Sequence, residues 1–166
     1  AGGVLCLPFL TGERSPHWNM HARGVFFGLT QEHDARHLAR ALVEGVAFRM
    51  RSVYDVLGEQ SDPIEEVRAS GGFTQSPFWI QTVASVLDRS LQVPVWGETS
   101  CLGAAMWGLR ATEQVPSLEA LEALVPIKEC VASDPVAAER YQRLYKVYQH
   151  LYSALETSFY ELSDLI

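Results

Sequence analysis

Hydrophobic positions change period several times along the chain, and each change marks an element. Val4 to Leu10 is almost continuously apolar, interrupted only at Pro8. An unbroken apolar run reads as a strand buried on both faces, with the proline near its end, where no ladder donor is needed. Thr11 to Arg23 is polar and carries Gly12, Pro16 and Asn19. It is a long loop of the kind that tends to hold function. Gly24 to Leu29 reads as a second short strand. The apolar spacing then becomes three and four. Leu38, Ala41, Leu42, Gly45, Phe48, Ser52, Val53, Val56 and Leu57 form one face of a helix from about Asp34 to Leu57, with Thr30 or Asp34 as cap and Gly58 as its end. Gly45 weakens a helix interior by roughly 1 kcal/mol against alanine, which a close helix-on-sheet contact would explain.

Gly58 to Pro63 is a polar loop, and Ile64 to Ala69 is a third strand that runs into Gly71-Gly72. Ser76 can cap the next helix, and Pro77 suits its first position because its missing N–H would be unpaired there. That helix runs from Phe78 to Asp88, and Ser90 to Val95 is a fourth strand, with Pro94 marking an edge or a strand end. After a turn at Gly97 to Ser100, Cys101 to Thr112 is helical, with Gly103, Ala104 and Ala105 in its first turns. Small residues there permit close approach of another helix or of a ligand. A proline-bearing stretch from Val115 to Asp134 holds a short amphipathic piece around Leu118 to Leu124. From Asp134 a long helix carries one apolar-aromatic stripe: Tyr141, Leu144, Tyr145, Tyr148, Leu151, Tyr152, Leu155, Phe159 and Leu162. The stripe reads as a packing face. Strands alternating with helices place the chain in the α/β class.

The junction from Glu66 to Trp79 organises the rest. Strand, glycine turn and capped helix together aim free backbone N–H groups and a positive dipole end at one point, which suits an anion and often a phosphate. Gly71 and Gly72 also let a flat or bulky ligand approach the backbone.

The 166 residues suffice for one domain with a core. A net charge of -7 argues against nucleic acid or an anionic membrane as partner, while a local nest of N–H groups can still hold the phosphates of ATP. Cys6, Cys101 and Cys130 are odd in number and widely spaced, so neither a metal knuckle nor a disulfide framework is expected and a reducing cytoplasm is the default. No apolar run is long enough to span a bilayer. His17 with His21 and His33 with His37 are spaced for metal, yet their polar surroundings and the absence of a His-Glu-x-x-His pattern favour solvated histidines. The chain opens at Ala1 and drops almost at once into its first strand, which suggests a piece of a longer protein.

Several stretches in order resemble the carboxy-terminal half of the FGGY carbohydrate kinases. They are Pro8 to Pro16 with its Gly12-Glu13-Arg14 turn, Trp18-Asn19, Ala22 to Leu29, and His37-Leu38 with Ala41-Leu42-Val43-Glu44. Leu42 departs from the smaller or β-branched residue of that signature. Ser70-Gly71-Gly72, Ser76-Pro77-Phe78-Trp79 and Pro94 resemble the family's adenosine motif, and Leu102-Gly103-Ala104-Ala105 the helix that follows it. Within the family the gluconate and xylulose kinases are most similar.

The resemblance implies part of an actin-like, ribonuclease H-like ATPase domain, a mixed sheet with flanking helices and a long C-terminal helix. It implies that residues 1–166 are the nucleotide-side domain, incomplete at the N-terminal end and inactive alone. Expected ligands are ATP or ADP with Mg2+, the metal held mainly by phosphates and by the missing domain, which would also hold the sugar or sugar acid and the catalytic base. Gly71 and Gly72 would meet the nucleotide's phosphates through backbone N–H. Ser76 would face the adenine edge or serve as the helix cap, and Phe73 and Gln75 would line the base pocket. Arg14 would meet substrate, close the inter-domain cleft or stabilise its loop. No catalytic residue is assigned: Glu13 reads as an ion pair with the adjacent Arg14, and Glu44 as an anchor for neighbouring backbone. Edges left open by the missing segment would favour self-association. The competing reading is a non-catalytic α/β interaction module that keeps the fold without binding nucleotide.

Overall fold

The computed structural model describes residues 1–97, 99–117, 120–121 and 125–165. Strand β1 (Leu5–Leu7) is buried at every position and pairs antiparallel with β2 (Val25–Phe27), Leu5 opposite Phe27 and Leu7 opposite Val25. Helix α1 (Ala35–Gln60) lies on β1. Of the two cap candidates Asp34 serves: its carboxylate accepts the N–H groups of Arg36 and His37. Gly45 sits where the helix crosses the strand, and a Cβ there would overlap the Cys6 carbonyl. The expected close contact is therefore the reason for the glycine. The helix does not end at Gly58 as expected but continues to Gln60. The end is exposed, and the Ser61 hydroxyl donates to the Leu57 carbonyl at 2.8 Å, occupying an acceptor that the helix terminus would leave free.

Strand β3 (Val67–Arg68) runs parallel to β4 (Leu91–Pro94), which pairs antiparallel with β5 (Ile127–Val131). β3 is shorter than its apolar run because the Arg89 guanidinium takes the carbonyls of Ile64 and Glu65, diverting backbone acceptors from a ladder. Pro94 marks a strand end, not an edge: β4 is central, and its register shifts between Val93 and Pro94. β5 lies in the proline-bearing stretch from Val115 to Asp134, for which no strand was expected. Residues 118–119 and 122–124 of the amphipathic piece Leu118–Leu124 lie outside the described residues.

Helix α2 (Pro77–Leu87) buries Ile80 and every residue from Thr82 to Leu87. Helix α3 (Thr99–Ala111) buries none. Helix α4 (Pro135–Asp164) starts at Asp134, whose carboxylate accepts the N–H groups of Val136 and Ala137. Its stripe is buried through Tyr141, Tyr145, Tyr148, Leu151, Tyr152 and Phe159, whereas Leu162 is exposed. Phe48 of α1 is the hub, its ring 5.4 to 5.9 Å from those of Tyr141, Tyr145 and Tyr148. One core cluster takes in Leu5 and Leu7 of the first sheet, Leu91 of the second, and Val83 and Tyr148 of the helices. Among the described residues, β1 pairs only with β2 and β3 only with β4, so β1 and β3 each keep one side unpaired, over a shared core.

Candidate nucleotide site

The bend after β3 is built from backbone. Ala69 N–H donates to the Gln92 carbonyl at 2.8 Å, the last tie to the sheet. The Ser70 hydroxyl then lies 2.8 Å from the Thr99 hydroxyl, joining the bend to the first turn of α3. Gly71 has φ 97 and ψ 178, a conformation open to glycine and strained for other residues. Gly72–Gln75 forms a single 3₁₀ turn. Thr74 closes it by donating to the Gly71 carbonyl through both N–H, at 3.1 Å, and hydroxyl, at 2.8 Å. Ser76 then caps α2, its hydroxyl accepting the Trp79 N–H at 3.4 Å, with Pro77 at the first helical position.

The N–H groups of Gly71, Gly72 and Phe73 have no hydrogen-bond partner among the described residues. Both glycines are exposed, and a Cβ on either would meet nothing within 4 Å. The bend is therefore an open ledge of donors, not a turn packed under side chains. Its geometry fits an anionic group reached from solvent.

The other expected residues fall on different sides of this ledge. Gln75, with Thr74 and Pro77, borders a cleft of about 450 Å³ between the bend, α2, β4 and β5. Ile80, Val93 and Pro94 give that cleft apolar walls, and Gln81 and Lys128 give it polar ones. The Ser76 hydroxyl is engaged as the cap. The Phe73 ring turns inward, packing on the core and bordering a smaller apolar cavity of about 190 Å³ beneath β3. Thr74, Gln81 and Lys128 are additions to the residues expected here. Lys128 rides on β5, and the β-branched Ile127 and Val131 after Pro126 are that strand's only sequence signal.

Neither carboxylate weighed as a base is free. Glu13 is buried, accepts the N–H groups of Ser15, His17 and Trp18 at 2.9, 2.9 and 3.0 Å, and pairs with Arg49 of α1 at 2.5 Å. The ion pair expected with Arg14 is corrected accordingly: Arg14 is exposed, and Arg49 reaches the buried carboxylate from beneath the loop. Glu44 accepts from Arg40 at 2.7 Å, from the Tyr141 hydroxyl at 3.1 Å and from the Ala1 backbone nitrogen at 3.2 Å, an anchor as expected. The histidines pack and cap: His17 stacks on Tyr152 at 3.9 Å, and His33 meets His37 edge-on at 5.1 Å. Among the described residues, no three His, Cys, Asp or Glu side chains stand together as metal ligands.

Comparison with known proteins agrees with this architecture. The family model for the C-terminal domain of the FGGY family of carbohydrate kinases matches residues 1–112. A gluconokinase of Bacillus licheniformis is 35% identical over 165 residues, 99% of this chain and 32% of its own length. A xylulose kinase of Escherichia coli strain K12 is 34% identical over 153 residues, 92% of this chain and 32% of its own. The crystal structure of gluconate kinase from Lactobacillus acidophilus superposes with a TM-score of 0.88 at 27% identity, covering 97% of this chain and 33% of that one. The chain thus spans about a third of the length of the curated relatives it matches.

Proposed function

The chain belongs to the FGGY family of carbohydrate kinases, as its C-terminal domain with the actin-like ATPase fold, and on that premise we propose that the whole protein transfers the γ-phosphoryl group of ATP to a hydroxyl of a sugar or sugar acid. Gluconate and xylulose are the leading substrates, from the relatives' names. The observation that carries the reading is the open ledge at Gly71 and Gly72, whose N–H groups lack partners among the described residues and whose faces are clear of side chains. Phosphoryl transfer asks a protein mainly for positioning and charge stabilisation, and donors fixed in place supply both.

In this reading Gly71 and Gly72 hold nucleotide phosphate through backbone N–H. Gln75 and Ser76 border the base, and Phe73 anchors the turn to the core while lending its N–H to the ledge. The apolar walls of the adjoining cleft accept a flat ring. Mg2+ is held mainly by the phosphates and by the remainder of the protein, which also supplies the sugar pocket and the base that takes the hydroxyl proton. The 166-residue chain alone has no kinase activity. The setting is cytoplasmic, consistent with free cysteines and with no helix among the described residues long and apolar enough to cross a membrane. Nucleic acid is not a partner. The open edges of β1 and β3 are covered by preceding segments of the whole protein, or by a second copy when those are absent.

The test is phosphorylation of gluconate and of xylulose by the whole protein with ATP and Mg2+. Turnover of one over the other names the substrate. No ATP-dependent turnover of any sugar, sugar acid or polyol overturns the proposal.

A further inference from the structure

Charges on α4 are sorted by sign. From Arg140 to Lys146 every charged residue is basic, and from Glu156 to Asp164 every one is acidic. That order opposes the helix dipole, which favours carboxylates near the N-terminal end and cations near the C-terminal end. Glu161 and Asp164 stand in the last turn with no basic residue there, and the first turn holds no acidic residue. Beyond its Asp134 cap, the isolated helix is charged the wrong way round. Arg143 has a local partner in Glu139 at 2.7 Å, but the two side chains are 76% and 72% exposed, so the pair contributes little and exchanges readily. Lys146, Glu161 and Asp164 form no ion pair among the described residues.

These charges also share a face. The helix buries Tyr141, Tyr145, Tyr148, Tyr152 and Phe159 along one side. At about 100° per residue, Arg143, Lys146, Ser153, Ala154, Glu161 and Asp164 fall within one arc on the opposite side, and all six are exposed. Ser153 and Ala154 are small, so another helix can come close there. Along the axis Arg143 lies about 16 Å before the midpoint of that small pair and Asp164 about 16 Å after it, while Lys146 and Glu161 lie about 11 Å before and after. A second copy of α4 crossing antiparallel at this point sets Arg143 level with the copy's Asp164 and Lys146 level with its Glu161. The two-fold axis makes each contact twice. Each acidic helix end then lies beside the copy's cations, which resolves the conflict with the dipole. The partly exposed side chains of Val147 and Tyr160 flank the seam.

We propose that the outward face of α4 is a homotypic docking surface, on which a second copy of this chain pairs antiparallel through Arg143 and Lys146 against Asp164 and Glu161. One helix pair is at the small end of protein interfaces, so the dimer is weak, and its exposed ion pairs make it salt-sensitive. The contact is distinct from the open edges of β1 and β3, and it does not depend on the kinase reading.

Sedimentation velocity of the whole protein is the test, in about 0.01 M and about 1 M salt, where charges are screened over roughly 30 Å and 3 Å. A dimer is expected in low salt, dissociating in high salt. Two double variants then identify the surface. Glu161→Lys with Asp164→Lys makes the four charged seam positions all basic, and Arg143→Glu with Lys146→Glu makes them all acidic. All four side chains are exposed, so both variants fold as the parent does, and lysines in the last turn suit the helix dipole. Each variant alone should dimerise at least about tenfold more weakly, because like charges meet across the seam. An equimolar mixture of the two should regain the dimer as a heterodimer. A whole protein that stays monomeric in low salt, self-association that the reversals leave unchanged, or a mixture no better associated than its components overturns the proposal.

Discussion

Ser70 and Thr99 share a hydroxyl–hydroxyl hydrogen bond of 2.8 Å. One sits two residues past β3, immediately before the two glycines, and the other at the first residue of α3. That bond sets the position of the ledge relative to a helix that buries none of its own residues. Ser70→Ala removes the tie without touching the core. Nucleotide affinity of the whole protein then falls by about fivefold, the worth of one partly exposed hydrogen bond. The thermal midpoint changes little. Paired calorimetric titration and melting measurements check both halves.

Gly45→Ala tests the contact between α1 and β1. A methyl group there overlaps a backbone carbonyl, that of Cys6, and neither rigid element can yield cheaply. Overpacking outweighs the alanine's helix propensity, and stability drops by about 3 kcal/mol. Gly58→Ala has open space around it and is neutral or slightly stabilising. Urea denaturation of the two variants separates them in sign.

Glu13→Gln tests the loop latch. The carboxylate uses one oxygen for Ser15 and Arg49 and the other for His17 and Trp18. A glutamine amide has only one acceptor oxygen, so its NH2 faces donors, and Arg49 loses its counter-charge. The expected loss is about 3 kcal/mol, as for a broken buried pair. Amide hydrogen exchange at Ser15, His17 and Trp18 accelerates with it.

Burial raises the Cys6 thiol pKa from 9.0 to about 11. The folded state therefore keeps its proton where the unfolded state has released it. Cys6 contributes stability that is complete below pH 9 and is lost as pH rises from 9 to about 11. Tyr145, raised by burial from 10.0 to about 12, extends the decline upward. Urea midpoints should fall steadily above pH 9, and Cys6→Ala should flatten the first part of that slope. An unchanged slope in the variant assigns the alkaline loss elsewhere.

Much of this was legible in the residues because local chemistry and tertiary structure agree. Ser76-Pro77 starts α2 and Asp34 starts α1, since a cap is decided within a few residues. Gly45 pointed to a helix–sheet contact because a glycine in a helix interior needs a reason outside the helix. What escaped depends on distant partners. Arg49 lies 36 positions from Glu13, so nothing local favoured it over the adjacent Arg14. β3 is cut short by Arg89, and β5 exists because β4 offers it an edge. The inward turn of Phe73 likewise follows from the core beneath β3, which the glycine motif does not encode.

The most direct test of the account uses Gly72. A Cβ there meets nothing within 4 Å, and its backbone needs no left-handed conformation, so Gly72→Val folds as the parent does. Gly71→Ala, by contrast, is strained at φ 97 and loses about 2 kcal/mol of stability. The decisive measurement is ADP titration of the whole protein against Gly72→Val at matched thermal midpoints. A side chain on the ledge should weaken ADP by about tenfold or more. Equal affinity in the two proteins would contradict the claim that these amides hold the nucleotide.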